Sequence, residues 1–212
     1  MRFPTIHELK KEHFTDLEQN LRRPLYERSK RFFDLVFAAL GLVIFAPVWL
    51  LLAVVIRLDS AGKAVFTHER VGMDGKLFKL HKFRTMYQGV KDQELAPESP
   101  NDSRITRVGK FLRRTSLDEV PQLLNVLQGN MSLVGPRPEM PFIVKHYSQH
   151  ERKRLLVKPG LTGLWQIFGR KDLPLHHNLE YDFYYIRHRS LWLDFLILLK
   201  TVGVVISGKG AY

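Results

Sequence analysis

Asp118 and Glu119 stand side by side in RTSLDEVPQ (114–122), directly after Arg113. Neighbours on a helix point about 100° apart, so both carboxylates reach one point only at a helix end or turn. That arrangement suits a divalent cation together with a nucleophile. Mg²⁺ takes one or two carboxylates plus substrate phosphates, and a carboxylate can attack phosphorus to give an acyl phosphate. Either role needs counter-charge for the phosphates. Arg113, Arg114 and Arg137 are placed to supply it.

The elements around the pair must bring these groups together. EVPQLLNVLQ predicts a helix over about 118–128, ended by Gly129. Asp118 could serve as its N-cap, with Pro121 at N3. Alternatively Ser116 and Glu119 form a capping box, and Pro121 then interrupts the second turn. Both readings leave the carboxylates at a helix N-terminus, where free N–H groups favour anions. Arg104, Arg107, Lys110, Arg113 and Arg114 recur at helical spacing as a basic stripe. AVFTHERVG and KLFKLHKFRTM alternate apolar and polar residues around Gly72, Asp74 and Gly75, a hairpin over 64–86 carrying Lys82 and Arg84. Residues 87–103, with Pro97 and Pro100, read as a polar loop. SLVGPRPE is a stiff turn that fixes Arg137 between two prolines. The glycine-rich PGLTGLWQIFGR (159–170), ending in Arg170, suits a loop shaped to a ligand, and His176-His177 fit a surface loop.

The 212 residues carry 33 Lys+Arg against 21 Asp+Glu, a formal net charge of +12, so an anionic partner is expected. Cysteine is absent, which excludes disulfides and Cys-ligated zinc. Residues 1–29 are polar and charged, and read as one or two short amphipathic helices divided at Pro24. Leu35 to Ile56 then runs 22 residues without a charge, long enough to cross a hydrocarbon core of about 30 Å. Lys30, Arg31 and Asp34 precede the run, Arg57 closes it and Pro47 lies near its middle. Basic residues at both ends disagree with a simple crossing, because Lys and Arg prefer the cytoplasmic side. A helix that enters the phospholipid bilayer, breaks at Pro47 and returns satisfies both ends better than a straight span. Asp34 is expected to pair with Arg31 or Lys30 at the membrane surface. The tail LWLDFLILLKTVGVVISG (191–208) fits an interfacial helix or a packed core helix equally.

The expected architecture is thus α/β, mostly helical with a small hairpin. A polar extension (1–29) precedes a re-entrant helix (30–57), then a cytosolic catalytic domain (58–212) ends in an interfacial helix. No Walker loop, dinucleotide fingerprint, HExxH or GxSxG is present. A membrane-tethered basic protein that binds nucleic acid or anionic lipid without catalysis is the competing reading. Against it, aromatics do not interleave with the basic stripe as base-stacking platforms do, so no nucleic-acid partner is expected.

Four stretches together resemble one family: KRFFD (30–34), FKLHKFRTM (78–86), the run from Arg104 to Glu139, and VKPGLTGLWQIFGR (157–170). They are similar to the bacterial sugar transferases, polyprenyl-phosphate hexose-1-phosphate transferases of the monotopic phosphoglycosyl transferase type. The likeness begins near Lys30 and matches the minimal catalytic form. It implies transfer of a sugar 1-phosphate from a UDP-hexose to polyprenyl (undecaprenyl) phosphate with release of UMP, dependent on Mg²⁺. Asp118 would be the nucleophile, and Glu119 would hold the metal with it or orient the phosphates. Arg113 and Arg137 would bind phosphate or nucleotide. Lys82, Arg84 and Asp182 match family positions near the same site. The family's membrane helix breaks at a Ser-Pro step, and here that step is Ala46-Pro47. The resemblance places the protein in the bacterial inner membrane, catalytic domain on the cytoplasmic face, in exopolysaccharide or related glycoconjugate synthesis. The GKGAY ending favours glucose or galactose as the sugar, and a homodimer is compatible with everything above.

Overall fold

The computed structural model describes residues 3–12, 14, 17, 18, 21, 23–89, 97, 99, 101–168 and 178–207. Arg170, the His176-His177 pair, most of the 90–100 loop and the GKGAY ending lie outside these residues.

The N-terminal stretch opens with a single turn, α1 (Ile6–Leu9). Thr5 and Glu8 form a capping box there, in which Thr5 Oγ1 accepts from the Glu8 N–H and a Glu8 carboxylate oxygen accepts from the Thr5 N–H. The sparse apolar residues of this stretch are not surface features. Leu9, Phe14 and Leu17 are fully buried in the main core. Pro24 does not divide two short helices, as the sequence suggested. It begins α2 (Pro24–Asp59), at the position where a missing N–H costs nothing.

α2 is 36 residues long and continuous through Pro47. At 1.5 Å per residue it measures about 54 Å. Only 11% of its most apolar 18-residue window is buried. Val43 is 73% exposed and Leu50 72%, so this is not the core helix of a soluble protein. Its flanks are fastened to the rest of the chain. Arg31 donates to the Val126 and Leu127 carbonyls, and Asp34 accepts from Ser132 Oγ and the Leu133 N–H. Lys30 pairs with Asp194 at 2.8 Å. The expected pairing of Asp34 with Arg31 or Lys30 is therefore wrong: each of the three reaches a different distant element. At the other end, Leu52 and Ile56 pack with Ala64, Phe83 and Leu112, and Trp49 stands edge-on to Phe83.

β1 (Val65–Val71) and β2 (Leu77–Phe83) form the expected antiparallel hairpin, in register from Val65↔Phe83 to Val71↔Leu77. Asp74 (φ 57°) and Gly75 (φ 77°) turn it in the left-handed region. α3 (Arg107–Thr115) follows, capped by Thr106, whose hydroxyl accepts from the Gly109 N–H. A 3-10 turn (Leu117–Glu119) and α4 (Gln122–Gln128) come next. The chain continues through β3 (Ser132–Val134), α5 (Pro141–Val144), α6 (Gln149–Arg152) and a second 3-10 turn (Lys153–Leu156). β4 (Gly160–Thr162) pairs parallel with β3, and α7 (Leu164–Phe168), α8 (Glu180–His188) and α9 (Leu191–Ser207) complete it. The described architecture is mostly helical with small sheets. The main core joins α4, β3, α8 and α9, with Val126, Met131, Phe183 and Ile197 fully buried. α9 buries Leu193 and Ile197 while Trp192, Phe195, Leu199, Val202 and Ile206 stay exposed, so it is both a packed helix and an apolar surface.

Candidate active site

Three pieces of backbone place the carboxylates. Ser116 ends α3 in the left-handed conformation (φ 57°, ψ 16°) and turns the chain straight into the 3-10 turn that carries Asp118 and Glu119. α4 then begins with Pro121 as N-cap, and neither Asp118 nor Ser116 caps it. Both capping alternatives read from the sequence are thus corrected: the pair sits in a separate tight turn just before the helix. Gly109, one turn into α3, lies against the backbone of Thr85, and a Cβ there would collide with the Thr85 carbonyl. This close approach lays α3 on the strand that follows β2, and Arg113, one turn later, donates from Nε to Thr85 Oγ1 at 2.9 Å.

Lys82 lies at the centre. Its ammonium is 2.7 Å from Glu119 Oε1 and 3.2 Å from Asp118 Oδ2. Arg137 approaches Glu119 Oε1 at 3.5 Å. Asp118 is 7% exposed. Burial pushes its carboxyl above the ordinary aspartate range, Lys82 pulls it back, and the Glu119 charge pushes it up again. Burial lowers the Arg113 guanidinium, and the Asp118 charge opposes that. Lys82 is aimed by Asn125, a fully buried residue of α4. Asn125 Oδ1 accepts from the His81 N–H, and its Nδ2 donates to the Lys79 carbonyl, gripping β2 just before Lys82.

Arg137 is held from behind. Arg154 is buried and donates from Nη2 to the Arg137 carbonyl, from Nη1 to the Tyr147 hydroxyl and from Nε to Asp182. The Asp182 ion pair is 2.8 Å, and Glu139 stands 4.0 Å away. Burial would lower Arg154, but the Asp182 charge, then Tyr147 and Glu139, hold it above the usual arginine range. Asp182 is therefore buried 2% exposed on α8, pinned to Arg154 rather than turned into the cleft.

Among the described residues, the other sequence candidates do not touch the carboxylate pair, although Arg84 lines the same cleft. Arg84 gives its guanidinium to the Ile56, Ser60 and Ala61 carbonyls, closing the C-terminus of α2. Arg114, Arg107 and Lys110 are exposed on α3, and Arg104, ahead of the helix, pairs with Asp102 at 2.7 Å. Only Arg113 of that stripe lines the cleft. Sequence reasoning missed Asn125 and Arg154. Arg154 sits in ERKRLLV, where nothing local separates it from Arg152 or Lys153.

The cleft at whose head these groups lie encloses about 1620 Å³. One part is walled by Lys82, Arg113, Asp118, Glu119 and Arg137. The other continues between α2 (Phe33, Phe37, Phe45) and α9 (Phe195, Leu198, Val202). Two adjacent carboxylates beside several cations, opening onto an apolar groove, make an anion-handling centre with an apolar annex.

Residues 25–208 match the family model described as bacterial sugar transferase. The chain belongs to this family. Among curated relatives, it is 40% identical over 211 residues to the undecaprenyl-phosphate galactose phosphotransferase of Salmonella typhimurium, covering 92% of this chain and 44% of that protein. It is 42% identical over 194 residues to the UDP-glucose:undecaprenyl-phosphate glucose-1-phosphate transferase of Klebsiella pneumoniae, covering 86% and 41%. It is 37% identical over 214 residues to the exopolysaccharide production protein ExoY of Rhizobium meliloti, covering 94% and 95%. The chain thus spans less than half the length of the first two relatives and nearly all of the third.

Proposed function

We propose that this family member is a membrane-bound phosphoglycosyl transferase. It moves a hexose 1-phosphate from a UDP-hexose, glucose or galactose, to polyprenyl (undecaprenyl) phosphate and releases UMP. The observation that carries the reading is the Asp118–Glu119 pair bridged by Lys82, with Arg113 and Arg137 beside it, at the head of a cleft that turns apolar between α2 and α9. Phosphates match the cations and a lipid chain matches the apolar part. The names of the Salmonella and Klebsiella relatives support both substrates.

In the proposed reaction an Asp118 carboxylate oxygen attacks the sugar-proximal phosphorus. The bond from that phosphorus to the bridging oxygen breaks, and UMP leaves with that oxygen. A phosphate oxygen of the lipid then attacks the same phosphorus, and its bond to Asp118 breaks, restoring the carboxylate. Arg113 and Arg137 neutralise the phosphates during both displacements. Lys82, which bridges the carboxylates in the free protein, turns to the phosphates when they arrive. Asp118 and Glu119 also fit Mg²⁺, which takes one or two carboxylates plus substrate phosphates. When bound, the ion would neutralise the diphosphate as it is cleaved. The described residues hold no cluster of three metal-ligating side chains, so substrate oxygens and water would complete its shell.

The reading includes a re-entrant α2 on the cytoplasmic face of the inner membrane, bending at Pro47 without the break expected from the sequence, since the helix runs on through the proline. Its support is that both flanks of the apolar run bind one body, Arg31 and Asp34 to α4 and β3, Ile56 to β2 and α3, while the middle is bare. One domain lies on one side of a bilayer, so both flanks share that side. The exposed stripe of α9 would then rest in the interface.

The deciding assay is UMP release from UDP-glucose or UDP-galactose, dependent on added polyprenyl phosphate. Asp118→Asn is expected to lower it by about three orders of magnitude or more; full turnover in that variant would refute the nucleophile. Single cysteines at Ser29 and Ser60 should label from the same side with an impermeant thiol reagent, and labelling from opposite sides would refute the re-entrant path.

A further inference from the structure

β1 presents one row of side chains that the reaction above leaves unused. Phe66, His68 and Arg70 alternate along the strand, and all three line the cleft. Phe66 is 41% exposed, an aromatic ring held open on a strand. It lies directly opposite Lys82 in the strand register. Opposed side chains share a face, with Cβ atoms about 4.5–5.5 Å apart. Phe66 therefore flanks the stem of the lysine whose ammonium rests on Asp118 and Glu119.

His68 stands beside this ring, at 5.3 Å between centroids and 64° between planes. Arg70 donates from Nε to His68 Nε2, so the imidazole proton is on Nδ1. That N–H has no other hydrogen-bond partner among the described residues. Burial, then the charges of Arg70, Lys82 and Arg137, push the ring down to about 3, so it stays neutral near pH 7. A neutral donor next to an open aromatic face, set among cations, is not a further phosphate grip. It fits a flat, uncharged heterocycle that carries a carbonyl oxygen. The strand is also tied to the turn that holds Arg137, since the Val71 N–H donates to the Glu139 carbonyl and Arg70 lies 3.7 Å from Glu139.

We propose that Phe66 and His68 form the seat of the donor's pyrimidine base, with the base stacked on Phe66 and a ring carbonyl accepting from His68 Nδ1. This rests on the transferase reading above and adds the residues that recognise the nucleotide.

The test uses the full chain in detergent and measures UMP binding by calorimetry, alongside UMP and ribose 5-phosphate as inhibitors of turnover. Phe66→Leu and His68→Ala should each weaken UMP about tenfold and leave ribose 5-phosphate inhibition within twofold. His68→Gln, which keeps a donor and an acceptor for Arg70, should bind UMP near the wild-type level. AMP, whose base has no carbonyl, should compete poorly with the wild type. Equal losses for UMP and ribose 5-phosphate would make the pair a phosphate contact and overturn the seat. A raised KM for the UDP-sugar with unchanged UMP binding would move the hexose there and overturn it too, as would wild-type UMP binding in all variants or none in the wild type. Wild-type protein that binds UMP in this pattern but releases none from UDP-sugars would instead sink the transferase reading and leave the seat standing.

Discussion

The two ends of the cleft are built on opposite terms. At its head, Lys82, Arg137 and Arg113 surround Asp118 and Glu119, and a buried polar frame of Asn125, Arg154, Asp182 and Tyr147 sets the backbone behind them. Every strong charge there has a named partner, as burial requires. At the other end, the middle of α2 and one stripe of α9 leave Val43, Leu50, Phe195 and Leu199 exposed. The first region is a partly buried cluster of opposed charges, the second an exposed apolar surface. The joint between them is polar: Lys30 to Asp194, Tyr185 to Asp194, and Asp34 to β3. Under the proposed transferase reading, a charged head group on a lipid tail would use both regions and the seam between them.

The contrast can be broken from the head first. Arg154→Met leaves Asp182 buried without its ion pair and frees the Arg137 carbonyl. It should destabilise the protein by about 3–5 kcal/mol, read as a fall in thermal midpoint, and a midpoint within a degree of wild type would show the frame to be dispensable. Breaking the other end should spare the head. Val43→Lys places a charge at the bare middle of α2 and should weaken membrane retention by about 2.5–3.5 kcal/mol, while UMP release in detergent stays near wild type. Unchanged sedimentation with membranes would remove α2 from the bilayer. A smaller effect is expected at the packing step that supports Arg113. Gly109→Ala drives a Cβ into the Thr85 carbonyl and should cost about 1–3 kcal/mol of stability, with a raised KM for the UDP-sugar as Arg113 shifts. The finest test reads charge alone. Lys82 lowers the Asp118 pKa against the burial that raises it, so Lys82→Met should move the Asp118 titration further upward in the metal-free protein. A ¹³C carboxyl titration that stays in place, or moves down, would show that Lys82 does not set that charge.

Much of this layout could be read along the chain, and the failures share one cause. The hairpin was legible because its alternation and its Gly72–Gly75 turn are local. The charge-free run of α2 was legible for the same reason, and so was the carboxylate pair with its neighbouring arginines. The partners of Lys30, Arg31 and Asp34 were not, because they lie 95 or more residues away: Asp194 for Lys30, the end of α4 for Arg31, Ser132 and Leu133 for Asp34. Asp182 and Arg84 matched a pattern near the site, yet one braces Arg154 and the other closes α2. The row Phe66–His68–Arg70 was visible as strand alternation, but only the register opposite Lys82 ties it to the Asp118–Glu119 cluster.

Sequence by itself determined the element types, the long membrane-fit helix and the pair of carboxylates, because each depends on spacing within a few residues. Only the tertiary structure decided which cations face Asp118 and Glu119, that the pair sits in a 3-10 turn instead of capping α4, and which charges belong to the frame. Those outcomes depend on which distant groups a buried charge finds to replace water, and that choice is made when the elements pack.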